Sequence, residues 1–122
     1  NKHILNDINS KIIIKSLKVH HGSIKSICYI INDKCAYAPD VNYIESKDLR
    51  YLKNLKYFIV DCLRYNYHPT HFNLDDVLKL ISKVKPKKAI LTNLSNEIDY
   101  NEIKKKLPKN VIPAHDGLTI LI

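Results

Sequence analysis

"FIVDCLRYNYHPTHFNLDDVLKLISKVKPKKAILTNLS", residues 58–95, decides the fold. With Tyr57 in front, its opening is a compact apolar strand over 57–61 that ends in an acid, Asp61. A polar aromatic loop, CLRYNYHPTH, follows. Asn73 is then a good helix N-cap, with Asp75 and Asp76 in the first turn, where negative charge suits the exposed N–H groups. Leu74, Val77, Leu78 and Ile81 share one face of a helix that runs to about residue 84. Pro86 closes it, and Ala89–Leu91 is a second buried strand that stops abruptly in the polar turn Thr92–Asn96. Strand, helix and strand in this order predict an α/β layer structure. Polar groups delivered at strand carboxyl ends are where such sheets place ligands.

Upstream, KIIIKSLKV (11–19) alternates like a strand, and His20-His21-Gly22 is expected to break it. SICYII (26–31) and Cys35–Ala38 form a hairpin around Asn32-Asp33-Lys34, ended by Pro39-Asp40. Leu49, Leu52 and Leu55 predict a short amphipathic helix over 46–55. Downstream, Asp99 with Glu102 resembles a capping box for a helix to about residue 106. Val111-Ile112 and Leu118–Ile122 are expected as the last strands, with Asp116-Gly117 turning between them.

The 122 residues suit one domain or half of a larger one, and 45% hydrophobic content is enough for a core. Asn at position 1 leads us to expect a fragment. The bias toward Ile, Lys and Asn suits an AT-rich bacterial genome. Only two glycines are present, too few for Gly-rich phosphate loops. Cys28, Cys35 and Cys62 form no C-x-x-C pair and read as buried thiols of a cytoplasmic protein. No run approaches the roughly 18 apolar residues of a membrane helix, so no membrane partner is expected. A net charge of +8 admits a polyanion partner, but the lysines are scattered, and Lys104–Lys106 closes a helix where cations suit the dipole.

Four polar clusters fall at strand carboxyl ends: His20-His21-Gly22, Pro39-Asp40, Asp61 with His68 and His71, and Thr92–Asn96. One strand-end histidine or aspartate is usually a turn or capping group. Histidine and aspartate from several strands together suit a borderline divalent cation.

"VHHGS", "AYAPDVNYI", the 58–95 block and "PAHDGL" resemble the carboxyl-terminal half of the metallo-β-lactamase-fold hydrolases, nearest to phosphoribosyl cyclic phosphate phosphodiesterase-like proteins. The resemblance covers nearly the whole chain. It implies one carboxyl-terminal half-domain over 1–122: half of an αββα sandwich, a mixed sheet with helices on one face. It also implies zinc or manganese, with His21 as a metal ligand and Asp40 as the bridging carboxylate. By the same resemblance, His71 lies near the scissile phosphate as proton donor, with His68 beside it for substrate binding. The implied substrate is a phosphodiester small molecule or nucleotide.

The chain departs from the family in three places, one of them His115, where the relatives usually show tyrosine. The His-x-His-x-Asp-His motif that supplies most ligands has no match, and Asn93 stands where the commonest form has a ligand histidine. Asn93 is therefore at best a weak metal donor through its carbonyl. These departures lead to an expectation of no activity alone, with an amino-terminal half or a homo-oligomer as partner. The alternatives are a degenerate, non-catalytic, self-associating remnant, or a small basic nucleic-acid-binding α/β module. Clustering of Lys18, Lys25, Lys53 and Lys56 would favour the last.

Overall fold

The computed structural model describes residues 1–7 and 10–122. Its strands are β1 (Lys2–Asp7), β2 (Ser10–His21), β3 (Ile24–Ile31), β4 (Cys35–Ala38), β5 (Tyr57–Asp61), β6 (Lys88–Thr92) and β7 (Val111–Pro113). They form one mixed sheet whose spatial order is the sequence order. β1 to β4 pair antiparallel, while β4 to β7 pair parallel. Parallel neighbours need crossovers. α1 (Leu74–Val84) links β5 to β6, and α2 (Tyr100–Lys106) links β6 to β7.

The period of two along each strand sorts the residues into two faces. Leu17, Cys28, Ile30, Ala36, Phe58, Ala89 and Val111 line one face with Val19, Ala38, Val60 and Leu91, and Val77, Leu80, Ile81 and Val84 of α1 and Ile103 of α2 complete that core. The helices lie largely on this side, which makes the sheet one layer pair of an αββα half-sandwich. On the other face the register aligns Tyr29, Tyr37, Ile59, Ile90 and Ile112. Tyr29 is 43% exposed and Tyr37 39%, so part of this row is an uncovered apolar surface.

Local chemistry sets the helix ends as expected. The Asp76 N–H donates to Asn73 Oδ1 at 2.9 Å at the start of α1, and Lys85 closes it in the left-handed region at φ 50°. Asp99 caps α2 by accepting from the Glu102 N–H at 2.9 Å.

Four expectations are corrected. The strand expected to break at His20 runs through His21, because the β2–β3 ladder continues to His21↔Ile24 and turns only at Gly22, where φ is +63°. In place of a helix over 46–55 there is a 3₁₀ segment, Ser46–Tyr51, followed by a turn. Leu49, Leu52 and Leu55 repeat every three residues, which is the 3₁₀ period rather than 3.6. Leu118–Ile122 is not a strand. The chain leaves the sheet beyond edge strand β7, no ladder forms there among the described residues, and Leu121 is 80% exposed. Finally, β1 is an edge strand that the reading did not anticipate.

Candidate metal centre

β2 runs antiparallel to β3 and β3 to β4, so β2 ends at the same edge of the sheet as the parallel strands. That edge receives His21 from the end of β2, Asp40 just after β4, Asp61 at the end of β5 and Asn93 just after β6. The loop between β5 and α1 adds His68, Thr70 and His71.

A small clamp seats this loop. Asn42 accepts the Gly22 N–H at 2.9 Å and donates through Nδ2 to the Pro69 carbonyl at 3.1 Å. Thr70 lies directly against Gly22: a Cβ there would meet its Cγ2 at 2.6 Å. The close approach brings the Thr70 carbonyl to 2.7 Å from His21 Nδ1. A carbonyl can only accept, so His21 Nδ1 carries the proton.

His71 is held by a second brace. Its Nδ1 lies 2.6 Å from Oδ2 of Asp61, a carboxylate wholly withdrawn from solvent. The same oxygen accepts the Val41 N–H at 3.0 Å, and Asn93 Nδ2 donates to the other oxygen at 3.1 Å. Burial pushes the Asp61 carboxyl above its ordinary range, and the Val41 N–H, His71 and Asn93 partly offset this. Behind it, burial and then the Asp61 charge push the Cys62 thiol up to about 12.

Ligand atoms of His21, Asp40 and His71 all lie within 4.8 Å of one another. The His21 and His71 rings meet edge to face with centroids 4.7 Å apart. Such a set can hold a cation, because neutral imidazole and carboxylate are the donors that zinc and similar ions take. His68 sits next to this group with its ring 5.1 Å from His71, its Nδ1 facing Thr70. Burial, then Arg64 and His71, pull the His68 pKa below its ordinary value.

Other histidines lie elsewhere. His20 contacts Glu45 through Nε2 at 2.7 Å and the Tyr43 ring edge, and His115 packs near Tyr100. The sequence reading placed Asp61 in a polar cluster without giving it a role, and missed Asn42 and Thr70 altogether. Gly22 was a usable signal, since a histidine followed by glycine at a strand end marks a close backbone approach.

The model of the β-lactamase superfamily domain family matches residues 6–92. The chain belongs to that superfamily. Among solved structures, a diphosphatase from the PhnP family is similar with 27% identity and a TM-score of 0.89, over 98% of this chain and 46% of that one. Two more distant matches share the fold. The human tRNase Z short form has 15% identity and a TM-score of 0.73, over 100% of this chain and 46% of its own. Zn²⁺-bound PqqB from Methylobacterium extorquens has 12% identity and a TM-score of 0.74, over 98% of this chain and 53% of its own. The chain thus spans about half the length of these structures. Among curated proteins none matches it. No helix among the described residues is long and apolar enough to cross a membrane.

Proposed function

We propose that this chain is the carboxyl-terminal half of a metal-dependent hydrolase of the phosphodiesterase type and is inactive without an amino-terminal half. The observation that supports this most is the convergence of His21, Asp40 and His71 at one sheet edge. A chain that spans 46% of a PhnP-family diphosphatase at 27% identity supports it independently. In this reading His21 and Asp40 would hold zinc or manganese. The bound metal supplies an activated water and neutralises phosphate charge. His71, oriented by Asp61, faces the scissile phosphate and gives its proton to the departing oxygen. His68 flanks the phosphate, and the substrate is a phosphodiester of a small molecule or nucleotide.

The missing donors must come from a partner that covers the apolar face around Tyr29 and Tyr37. A nucleic-acid module finds no support in the lysines named for it. Lys25 pairs opposite His20 near the site edge, whereas Lys56 precedes β5 at the other end of the sheet.

The test uses bis-p-nitrophenyl phosphate with added Mn²⁺ or Zn²⁺. The isolated chain should show no turnover. A fusion to the amino-terminal half of the PhnP-family diphosphatase should hydrolyse it, and Asp40→Ala should abolish the rate. Robust turnover by the isolated chain, or a folded, metal-loaded fusion without activity, would overturn the proposal.

A further inference from the structure

A cavity of about 350 Å³ opens beyond the ends of β6 and β7, lined by Thr92, Asn93, Leu94, Ala114, His115 and Asp116. That volume is at the small end of the roughly 300–1,000 Å³ range of ligand pockets, room for one sugar-sized group rather than a polymer. Backbone bonds fix its β7 wall. The Ala114 N–H donates to the Leu91 carbonyl at 2.8 Å, and the Leu118 N–H donates to the His115 carbonyl at 3.1 Å across a turn with Gly117 at φ +82°. The opposite wall is Asn93, held in the left-handed region at φ 62°. Its Nδ2 donates to Asp61 Oδ1 at 3.1 Å and lies 3.4 Å from His71 Nδ1. A single residue therefore separates the cavity from His71.

The free polar groups of the lining are mostly acceptors. With Nδ2 turned to Asp61, Asn93 keeps its Oδ1 available. His115 Nδ1 lies 3.0 Å from the Asp116 carbonyl, which can only accept, so a neutral ring there keeps its lone pair on Nε2. Asp116 is exposed, and its carboxylate has no hydrogen-bond partner among the described residues. Leu94 and Ala114 add a small apolar surface between these groups. Acceptors around an apolar patch suit a sugar, whose hydroxyls donate and whose C–H face packs. The Asp116 charge would repel a second phosphate at the same place.

We propose that this cavity seats a sugar that departs from the substrate, with Asn93, His115 and Asp116 accepting its hydroxyls, so that the scissile phosphodiester is made through a sugar hydroxyl. The inference rests on the hydrolase reading, in which His71 gives its proton to the departing oxygen. A group that departs beside His71 lies where the cavity opens. As water bonds to phosphorus, the phosphorus–oxygen bond to the sugar breaks. The His71 proton passes to that oxygen, and the free alcohol is left in the cavity.

The experiment follows backbone amide shifts of the whole chain, with Zn²⁺ present, during titration with D-ribose 5-phosphate or with methyl phosphate. Both carry the same phosphate, and only the first carries a sugar. Ribose 5-phosphate should bind about tenfold more tightly, the worth of one good hydrogen bond to a charged group. It alone should move the amides of Ala114, His115 and Asp116. Asp116→Ala should remove the advantage and leave the affinity for methyl phosphate unchanged. If that variant fails to fold, the two ligands compared on the unaltered chain still decide the matter. Equal affinities, tighter binding of ribose 5-phosphate without shifts at the end of β7, or binding of neither ligand would overturn the inference. Were the affinities equal while the fusion hydrolysed bis-p-nitrophenyl phosphate, this inference would fail and the hydrolase reading would stand.

Discussion

Replacing Gly22 by alanine should loosen the clamp that seats the histidine loop, and the structure gives the size of the effect. Gly22 has φ +63°, and an L-residue with a Cβ costs about 1–2 kcal/mol there. The added Cβ would also stand 2.6 Å from Thr70 Cγ2, about 1 Å short of a normal carbon contact. Relief by shifting the loop costs about 1–3 kcal/mol, the usual range for overpacking. The sum is on the order of 2–5 kcal/mol. With a urea slope of about 2 kcal/mol/M, mid-range for a small domain, the midpoint should fall by roughly 1–2.5 M. Thr70→Ser removes the clashing methyl, so Gly22→Ala in that background should retain only the backbone strain of about 1–2 kcal/mol. Urea unfolding of the four proteins in the cycle reads both terms. A Gly22→Ala variant within about 0.5 kcal/mol of wild type, or an equal loss in both backgrounds, would refute the reasoning.

Other outcomes follow from the same contacts. Asn73→Ala should cost about 1 kcal/mol of stability, as loss of an N-cap does, measured by urea unfolding at pH 7. The Asn73 amide, then Lys79, hold the Asp76 carboxyl below its ordinary range. The stability this provides is complete above the unfolded carboxyl pKa of about 4 and is lost as pH falls through the lower folded value, so the Asn73→Ala deficit should shrink in acid. Burial pushes the thiols of Cys28 and Cys62 up to about 12 and raises that of Cys35. A thiol reagent at pH 8 should therefore label none of them in the folded chain and all three after denaturation; rapid native labelling would contradict their burial. The open face should make the isolated chain a homodimer or larger assembly by light scattering, with Tyr29→Lys plus Tyr37→Lys shifting it to monomer. A monodisperse wild-type monomer would count against this.

What could be read from the sequence follows the strength of local signals. β4 and β5 were bounded correctly because compact apolar runs meet Pro39-Asp40 on one side and a buried acid on the other. α1 was legible from its cap and period together. The 3₁₀ segment was missed because a three-residue leucine repeat satisfies a loose helical template. β1 escaped because an edge strand needs only one neighbour and little apolar alternation. Within the site, the resemblance to the metallo-β-lactamase-fold hydrolases pointed to His21, Asp40 and His71, and the fold brings them together. The clamp of Asn42, Thr70 and Gly22 could not be read, since it depends on a loop folding back across 49 residues to reach His21. Asp61 was visible as a strand-end acid, but its contacts with Val41, His71 and Asn93 exist only once the strands are aligned.

The most direct measurement is an anomalous difference map from crystals of the isolated chain soaked in Zn²⁺, collected on both sides of the zinc edge. The account predicts one dominant peak at the sheet edge, bonded to His21 and Asp40 at about 2.0–2.2 Å. A peak between His20 and Glu45 instead, or an ordered His21–Asp40–His71 group with no peak, would contradict it.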